Sequence, residues 1–116
     1  MTDIEPAGVS AYHAHVYYLP ETRAAADAVR ERLSARFEVQ LGRWHDLPIG
    51  PHTRGMYQVL FASAEFARVV PWLMLNRRGL DVLVHPDTGD DLADHTSHAL
   101  WLGERLPLLL EALRAH

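Results

Sequence analysis

Two histidines occupy alternate positions in the stretch AYHAHVYYL, residues 11–19, whose pattern is that of a β-strand. Successive strand residues point to opposite faces of a sheet, so His13 and His15 share one face, together with Tyr17. The opposite face carries small apolar side chains suited to packing beneath helices. Because a valine or isoleucine would pack better in a strand than an imidazole does, the pair predicts a site that uses imidazole nitrogens.

Histidine is abundant in this chain, with eight among 116 residues, about three times ordinary usage. Apart from the terminal His116, the histidines fall into three stretches: His13 and His15; His45 and His52; His85, His95 and His98. Neutral imidazole is the commonest protein ligand of transition metals, and it suits iron, zinc, copper and nickel. A lone strand histidine is more often a hydrogen-bonded structural residue, so the metal hypothesis requires several of these stretches to meet.

The composition disfavours several other functions. The chain has no cysteine, which excludes a disulfide scaffold, a zinc ribbon and a thiol nucleophile and fits a reducing cytoplasm. Its net charge is −4 and its eleven cationic residues, all arginine, are scattered, which disfavours nucleic acid. No apolar run approaches the roughly 20 residues of a membrane span. The polar start MTDIEPAGVS resembles neither a signal nor a transit peptide. We therefore expect a cytoplasmic protein that binds neither nucleic acid nor membrane.

The elements that position the histidines follow from the spacing of apolar and turn residues. The pattern predicts strands at 11–19, 38–44, 56–61 and 80–85, helices at 21–37 and 64–78, and a closing helix at 105–116. Ser63 is expected to cap the second helix, Pro71 to kink or break it, and Gly79 to end it. Residues 86–98 are predicted to form a long polar loop, and 99–103 a short apolar segment.

This order predicts one α+β domain over residues 1–116 with the ferredoxin-like βαββαβ arrangement. We expect a four-stranded antiparallel sheet in the order 4-1-3-2, both helices on one face, a C-terminal extension and a loose tail at 1–10. Strand 1 is expected to run parallel to strand 3 and antiparallel to strand 4. On that topology, His13 and His15, His52 and His85 meet at one end of the sheet.

Several long strings in this sequence also resemble the DOPA 4,5-dioxygenase family of small extradiol enzymes. They are YHAHVYY at 12–18, LGRWHDLPIGPH at 41–52, MYQVLF at 56–61 and PWLMLNRRGLDVLVHPDTGDDLADHTSHALWLG at 71–103. The resemblance implies a ferredoxin-like fold, a non-haem Fe(II) site and oxidative cleavage of a catechol ring by O2. The HxH element matches His13 and His15, GPH matches His52, VLVHP matches His85, and DHxxH matches His95 and His98.

Within this hypothesis His15, His52 and His85 are the expected metal ligands, with His13 as the alternate from the same strand. Fe(II) is the expected ion, with Zn or Ni as possible substitutes. A facial triad commonly includes a carboxylate, and the candidates are Asp90, Asp91 and Asp94. None of them has clear ligand spacing, so an all-histidine site is equally open.

The remaining candidates concern the substrate. His95 and His98 are expected to act as general base and acid, because imidazole titrates near neutral pH. Tyr17 and Tyr57 are expected to orient a substrate hydroxyl. Arg43, Arg54 and Arg77 are candidates for pairing with a substrate carboxylate, against the ordinary alternative of solvated surface arginines.

Two other functions fit the same residues. One is a non-catalytic, dimeric ferredoxin-like module that binds a metal or a small aromatic ligand, and the other is a zinc-dependent hydrolase or isomerase. A homodimer is expected in any case, because the sheet face with Tyr17, Leu60 and Leu83 would otherwise expose an apolar patch.

Overall fold

The computed structural model describes residues 2–114, and the structural statements below concern that part of the chain. Its strands and helices are β1 Ala11–Tyr18, α1 Arg23–Arg36, β2 Gln40–Leu41, β3 Gly55–Ala62, α2 Phe66–Asn76, β4 Val82–Pro86, α3 Asp91–His95, β5 Leu100–Leu102 and α4 Glu111–Arg114. Short 3-10 turns occupy Pro6–Gly8, Pro20–Thr22 and Ser63–Glu65.

The strands form one antiparallel sheet in the order β2-β3-β1-β4-β5. The α+β class is confirmed, and so is the predicted order of the first four strands. The predicted count of four strands is wrong, because the apolar segment at 99–103 contains β5, which pairs with β4.

The predicted parallel pairing of β1 with β3 is also wrong, because Ala11 lies opposite Ala62 and Tyr18 opposite Gly55. The crossover through α1 makes β1 parallel to β2, and β3 lies between them as the antiparallel neighbour of both. His52, which precedes β3, therefore approaches the end of β1 and not its beginning.

Both helices pack on one face of the sheet, as predicted. α1 buries Ala26, Val29 and Leu33, at the i, i+3 and i+7 positions of one helical stripe. α2 buries Val69, Val70 and Leu73 against the same strands. The strand residues that meet them form the main core: Ala14, Val16, Tyr18, Tyr57, Val59, Phe61, Val82, Val84 and Leu102.

The ends of α2 differ in detail from the prediction. The helix continues through Pro71, so a break there is not seen. Ser63 begins the preceding 3-10 turn and makes no side-chain cap. Beyond the last helical residue, Gly79 adopts a φ of 76° in the turn that leads to β4, the left-handed region that favours glycine.

The other sheet face is covered by the C-terminal part of the chain. Tyr17, Met56 and Leu83 are buried there beneath Leu106, with Ala99, Trp101 and Leu108 packed around them. Tyr17 is 1% exposed and Leu83 is fully buried. Tyr17 and Leu83 are therefore covered within the chain, whereas Leu60, the third residue of the patch from which a homodimer was predicted, is only partly buried; the homodimer stays a prediction.

Residues 104–110 form an irregular segment across this face, where the sequence predicted a helix from 105 onwards. Pro107 disfavours helix at the residue before it, and the segment is attached to the loop before β3. Leu109 N–H donates to the Pro51 carbonyl at 2.8 Å, and the Thr53 hydroxyl donates to the Pro107 carbonyl at 3.0 Å. Helix forms only in α4, and residues 115–116 lie outside the described range.

The N-terminal residues are mostly exposed, as expected of a tail, but part of the tail is ordered by a turn. Val9 N–H donates to the Pro6 carbonyl at 3.0 Å, and Ser63 N–H donates to the Ser10 carbonyl at 2.9 Å. Within residues 2–114, no helix is long and apolar enough to cross a membrane.

Candidate metal centre

Four histidines converge on the sheet face opposite α1 and α2. His15, His52, His85 and His95 are 3%, 4%, 4% and 9% exposed, which is rare for histidine without a specific role. The ring centres of His15 and His52 are 4.3 Å apart, those of His85 and His95 are 4.2 Å apart, and those of His15 and His85 are 5.1 Å apart.

Each ring is delivered by a different element. His15 lies in the middle of β1, and on the neighbouring β4 His85 lies directly opposite His13 on the same face. His52 is held by isolated β-bridges to Ile49 and Leu108, so the segment over the sheet fixes its position. His95 ends α3.

The short helix that carries His95 was missed in the sequence. Asp90 caps α3 by accepting a hydrogen bond from Ala93 N–H at 3.1 Å. The cap and the two acidic residues of the first turn were the available signals. Because residues 86–98 are mostly polar, this stretch was predicted to be a loop despite the cap and the acidic residues.

The convergent nitrogens form two overlapping groups. His13, His15 and His85 form one, and His15, His52 and His95 form the other; in each, the ligand atoms lie within 4.8 Å of one another. The expected ligand set of His15, His52 and His85 is therefore not found as one group, because His52 and His85 fall into different groups. His15 belongs to both, and its Nε2 is 3.0 Å from Nε2 of His85. Two nitrogens bound at right angles, each about 2.1 Å from one ion, would lie about 3.0 Å apart.

The hydrogen bonds of two rings leave Nε2 available as a ligand. His85 Nδ1–H donates to the Pro86 carbonyl at 2.8 Å, and His95 Nδ1–H donates to the Asp91 carbonyl at 2.7 Å. A carbonyl can only accept, so each Nδ1 carries the proton and each neutral ring keeps its lone pair on Nε2. This is the arrangement in which a backbone carbonyl orients a metal-binding histidine.

Burial keeps the rings neutral. Burial, followed by the neighbouring imidazoles, lowers the pKa of His52 to about 4. Burial likewise lowers the pKa of His85 to about 4, although its hydrogen bond to Pro86 opposes the change. The pKa of His15 lies well below its usual value, through burial and then the surrounding histidines. All three are therefore in the metal-binding form at neutral pH.

These residues fit a transition-metal ion. The donor set is neutral nitrogen, and within residues 2–114 the groups able to hold an ion contain only histidine. In addition, buried His15 Nδ1 has no hydrogen-bond partner, an unusual cost in a folded interior. A metal ion bound to the nitrogens of these rings would compensate for crowding them together, and bound to His15 Nδ1 it would also give that atom a partner.

The three aspartates considered as ligands have other contacts. Asp90 caps α3, and Asp91 contributes its backbone carbonyl to His95. Asp94 is buried and accepts hydrogen bonds from Thr88 N–H at 2.8 Å, the Thr88 hydroxyl at 2.6 Å and His98 Nδ1–H at 3.0 Å. Burial alone would raise the pKa of Asp94, but these hydrogen bonds more than offset it, and the pKa lies below its usual value.

The predicted acid–base pair occupies two different environments. The ring of His95 lies among the possible ligands, a role the sequence did not assign to it. His98 is tied through Nδ1 to Asp94, so its Nε2 is the nitrogen left for another partner. This is the arrangement in which a carboxylate orients a catalytic imidazole.

The predicted role of Tyr57 conflicts with its position. Tyr57 lies opposite Val16 on the helix face, is fully buried, and donates its hydroxyl to the Ala26 carbonyl at 2.7 Å. Because side chains alternate along β3, a residue paired with Val16 cannot share the face of His15. Tyr57 therefore belongs to the core and not to the site.

The predicted arginines are not gathered around the histidines. Arg43 is exposed, and Arg77 donates to the Met74 carbonyl at the end of α2. Arg54 pairs loosely with Asp81 at 3.9 Å. Arg54 is near enough to Tyr17 for its charge to oppose the effect of burial, which raises the pKa of that phenol.

Tyr17 contacts the cluster as a positioning residue. Its hydroxyl oxygen lies 2.7 Å from His52 Nδ1, and its ring stacks on Trp101 with ring centres 5.8 Å apart. When His52 binds a metal through Nε2, Nδ1 carries the proton and donates to the phenol oxygen. Tyr17 is buried beneath residues 104–110. It is therefore not positioned for the predicted direct contact with substrate.

We expect Tyr17→Phe to weaken metal binding about 10- to 100-fold, the usual effect of losing the partner that orients a ligand histidine. The matched control is Tyr57→Phe, which removes a buried hydroxyl from the opposite face of the same sheet. That control should cost about 1–2 kcal/mol of stability and leave the metal affinity unchanged. Equal metal affinities for the two variants, measured by competition with a chelating dye, would contradict the role of Tyr17.

Fold and site together define a small α+β domain with a histidine-lined candidate metal centre on the face of an antiparallel sheet opposite α1 and α2. The chain belongs to the Dopa 4,5-dioxygenase family, whose family model matches residues 12–112. The family expected from the sequence is thereby confirmed.

Individual relatives agree with this assignment. The chain is 33% identical over 114 residues to a DOPA 4,5-dioxygenase from Amanita muscaria, with 90% of this chain and 50% of the relative covered. It is 37% identical over 116 residues to an "Uncharacterized 21.2 kDa protein" from Botryotinia fuckeliana, with 90% and 63% covered. The chain thus spans about half to two thirds of the length of these curated relatives.

A solved structure is similar over nearly the whole chain. It is the crystal structure of a candidate dioxygenase from Nostoc punctiforme, 57% identical, with a TM-score of 0.96 and coverage of 97% of this chain and 98% of that one. The family and these names indicate a dioxygenase.

Proposed function

We propose that this chain is an extradiol dioxygenase that holds Fe(II) on its histidine cluster and cleaves a catechol ring with O2. The observation that carries the proposal is the convergence of four buried imidazoles, two of which use Nδ1 for a backbone hydrogen bond and keep Nε2 for another partner. Membership of the Dopa 4,5-dioxygenase family supports it independently.

The proposed ligands are His15 together with either His52 and His95 or His13 and His85, because no group able to hold an ion within residues 2–114 contains both His52 and His85. A bound Fe(II) would bind the catechol and activate O2 beside it, with the catechol as the net source of electrons for the reduction of O2. The chain's own part is to hold the rings rigidly on the sheet and to exclude bulk water with the segment 104–110.

The proposed acid–base group is His98. Asp94 accepts a hydrogen bond from His98 Nδ1–H, which leaves Nε2 available to take a proton from a catechol hydroxyl and return it later. Because Asp94 is itself held by Thr88, the imidazole is oriented before substrate arrives.

The experiment is anaerobic reconstitution with Fe(II), followed by addition of a catechol and air. We expect stoichiometric oxygen uptake and a yellow semialdehyde product that absorbs in the visible. Metal binding without oxygen uptake on any catechol would favour the non-catalytic module, and native protein that contains zinc would favour the hydrolase or isomerase.

A further inference from the structure

A cavity of about 340 Å³ lies beside the candidate metal centre, and His85 is the one proposed ligand in its lining. β5 pairs with β4 only as far as Val84, so His85 and Pro86 extend beyond it. The lining of the cavity includes residues from both faces of the sheet at this point. Tyr12, Phe66 and Val84 line it on the helix side, and His85 and His98 line its polar end.

The dimensions and lining suit one substituted aromatic ring. The volume falls in the range of small-molecule sites, and such sites are mainly apolar with a few converging polar groups. The rings of Tyr12 and Phe66, 4.8 Å apart and tilted, offer surfaces for a third ring. His98, tied to Asp94 through Nδ1, can exchange a hydrogen bond with a ligand hydroxyl through Nε2.

The lining also restricts the charge of the ligand. None of the residues that line this cavity is Asp, Glu, Lys or Arg. A carboxylate or ammonium group placed against this lining would lose part of its hydration and find no charged side chain in the wall to compensate for it. The arginines predicted to bind a substrate carboxylate, Arg43, Arg54 and Arg77, are not among the lining residues.

A second cavity provides the contrasting case. It measures about 220 Å³ and lies on the other side of the centre, lined by His95, Trp101 and Arg105 among others. An anionic ring compound would be expected beside Arg105. A neutral substrate is therefore expected in the first cavity and an acidic one in the second.

We infer that the larger cavity binds the ring of an uncharged, alkyl-substituted catechol, with its hydroxyls towards His85 and His98 and its alkyl group towards Phe66. This inference rests on the proposed function, because it names the substrate class for that same centre. The N-terminal residues Ile4 and Val9 form part of the wall, so the tail contributes to substrate selection.

The test is anaerobic calorimetry on the Fe(II)-loaded protein and on the metal-free protein, with three ligands: 4-methylcatechol, L-DOPA and 3,4-dihydroxyphenylacetate. We expect 4-methylcatechol to bind at least about tenfold more tightly than either charged compound, a difference of about 1.4 kcal/mol. Equal or tighter binding of a charged catechol, or no binding of 4-methylcatechol, would overturn the inference.

Two matched variants locate the ring. Leu100→Trp fills the cavity from β5 and should weaken 4-methylcatechol binding about tenfold, whereas Leu75→Trp on the exposed side of α2 should have no effect. Unchanged binding in Leu100→Trp would refute the location. Loss of 4-methylcatechol binding in Arg105→Ala would place the ring in the smaller cavity instead.

The two proposals can fail separately. Binding is measured without oxygen, so a protein that selects 4-methylcatechol but consumes no oxygen refutes the dioxygenase and supports the cavity assignment. A protein that oxidises L-DOPA in preference to 4-methylcatechol supports the dioxygenase and refutes the assignment.

Discussion

His15→Ala is expected to reduce the affinity for Fe(II) by more than about 100-fold and to abolish turnover. His15 is the only member shared by the two histidine groups described in residues 2–114. Its ring centre lies within 6 Å of those of His52, His85 and His95. Loss of a group that merely orients a ligand already costs 10- to 100-fold, so loss of the shared ligand should cost more.

The matched control is His45→Ala, which removes a histidine that lies outside both groups and is not among the buried residues. Iron content after reconstitution and the rate of oxygen uptake are the measurements. His15→Ala protein that retains both would contradict the proposed centre. Normal iron content and turnover in both His52→Ala and His85→Ala would do so as well.

Metal-free protein is expected to lose stability steeply as the pH falls from about 6.5 to about 4. In the folded state the pKa values of His52 and His85 are lowered to about 4, while in the unfolded chain they return to about 6.5. Between these values the unfolded chain binds more protons, so the stability is complete above pH 6.5 and declines below it. The full pKa shift of one histidine corresponds to about 3 kcal/mol in the free energy of unfolding. Because the two rings titrate as a coupled pair, together they contribute less than twice that amount.

Urea unfolding of the chelator-treated protein at pH 7.5, 5.5 and 4.5 measures this effect. The double variant His52→Gln/His85→Gln should show a flatter profile over the same range, because both titrating rings are gone. A wild-type free energy of unfolding that is constant between pH 7.5 and 4.5 would show that these rings are not buried as neutral groups.

The sequence was sufficient for those parts of the site that local periodicity determines. Alternation in β1 placed His13 and His15 on the face away from the helices, and His85 followed from its position in β4. His52 was correctly grouped with them for the wrong reason. It reaches His15 not through a parallel β3 but because its loop is held by bridges to Ile49 and Leu108.

What the sequence could not supply depends on long-range packing. The role of His95 requires α3, a five-residue helix within a polar stretch, to fold back over the sheet. The burial of Tyr17 depends on the irregular segment 104–110, whose apolar residues have the composition of a helix. In each case the local pattern is compatible with two structures, and contacts with distant residues decide between them.

The attachment of residues 104–110 to the loop before β3 has a consequence for the order of folding. Leu109 meets Pro51, and Leu108 meets His52, so these contacts close a loop of more than fifty residues. Contacts so distant in sequence form late, after the loop-closure entropy has been paid by the rest of the fold. Competence to bind a metal ion through His52 would then arise only once residues 104–110 have been synthesised and have docked, so a chain cleaved before residue 104 would remain apo.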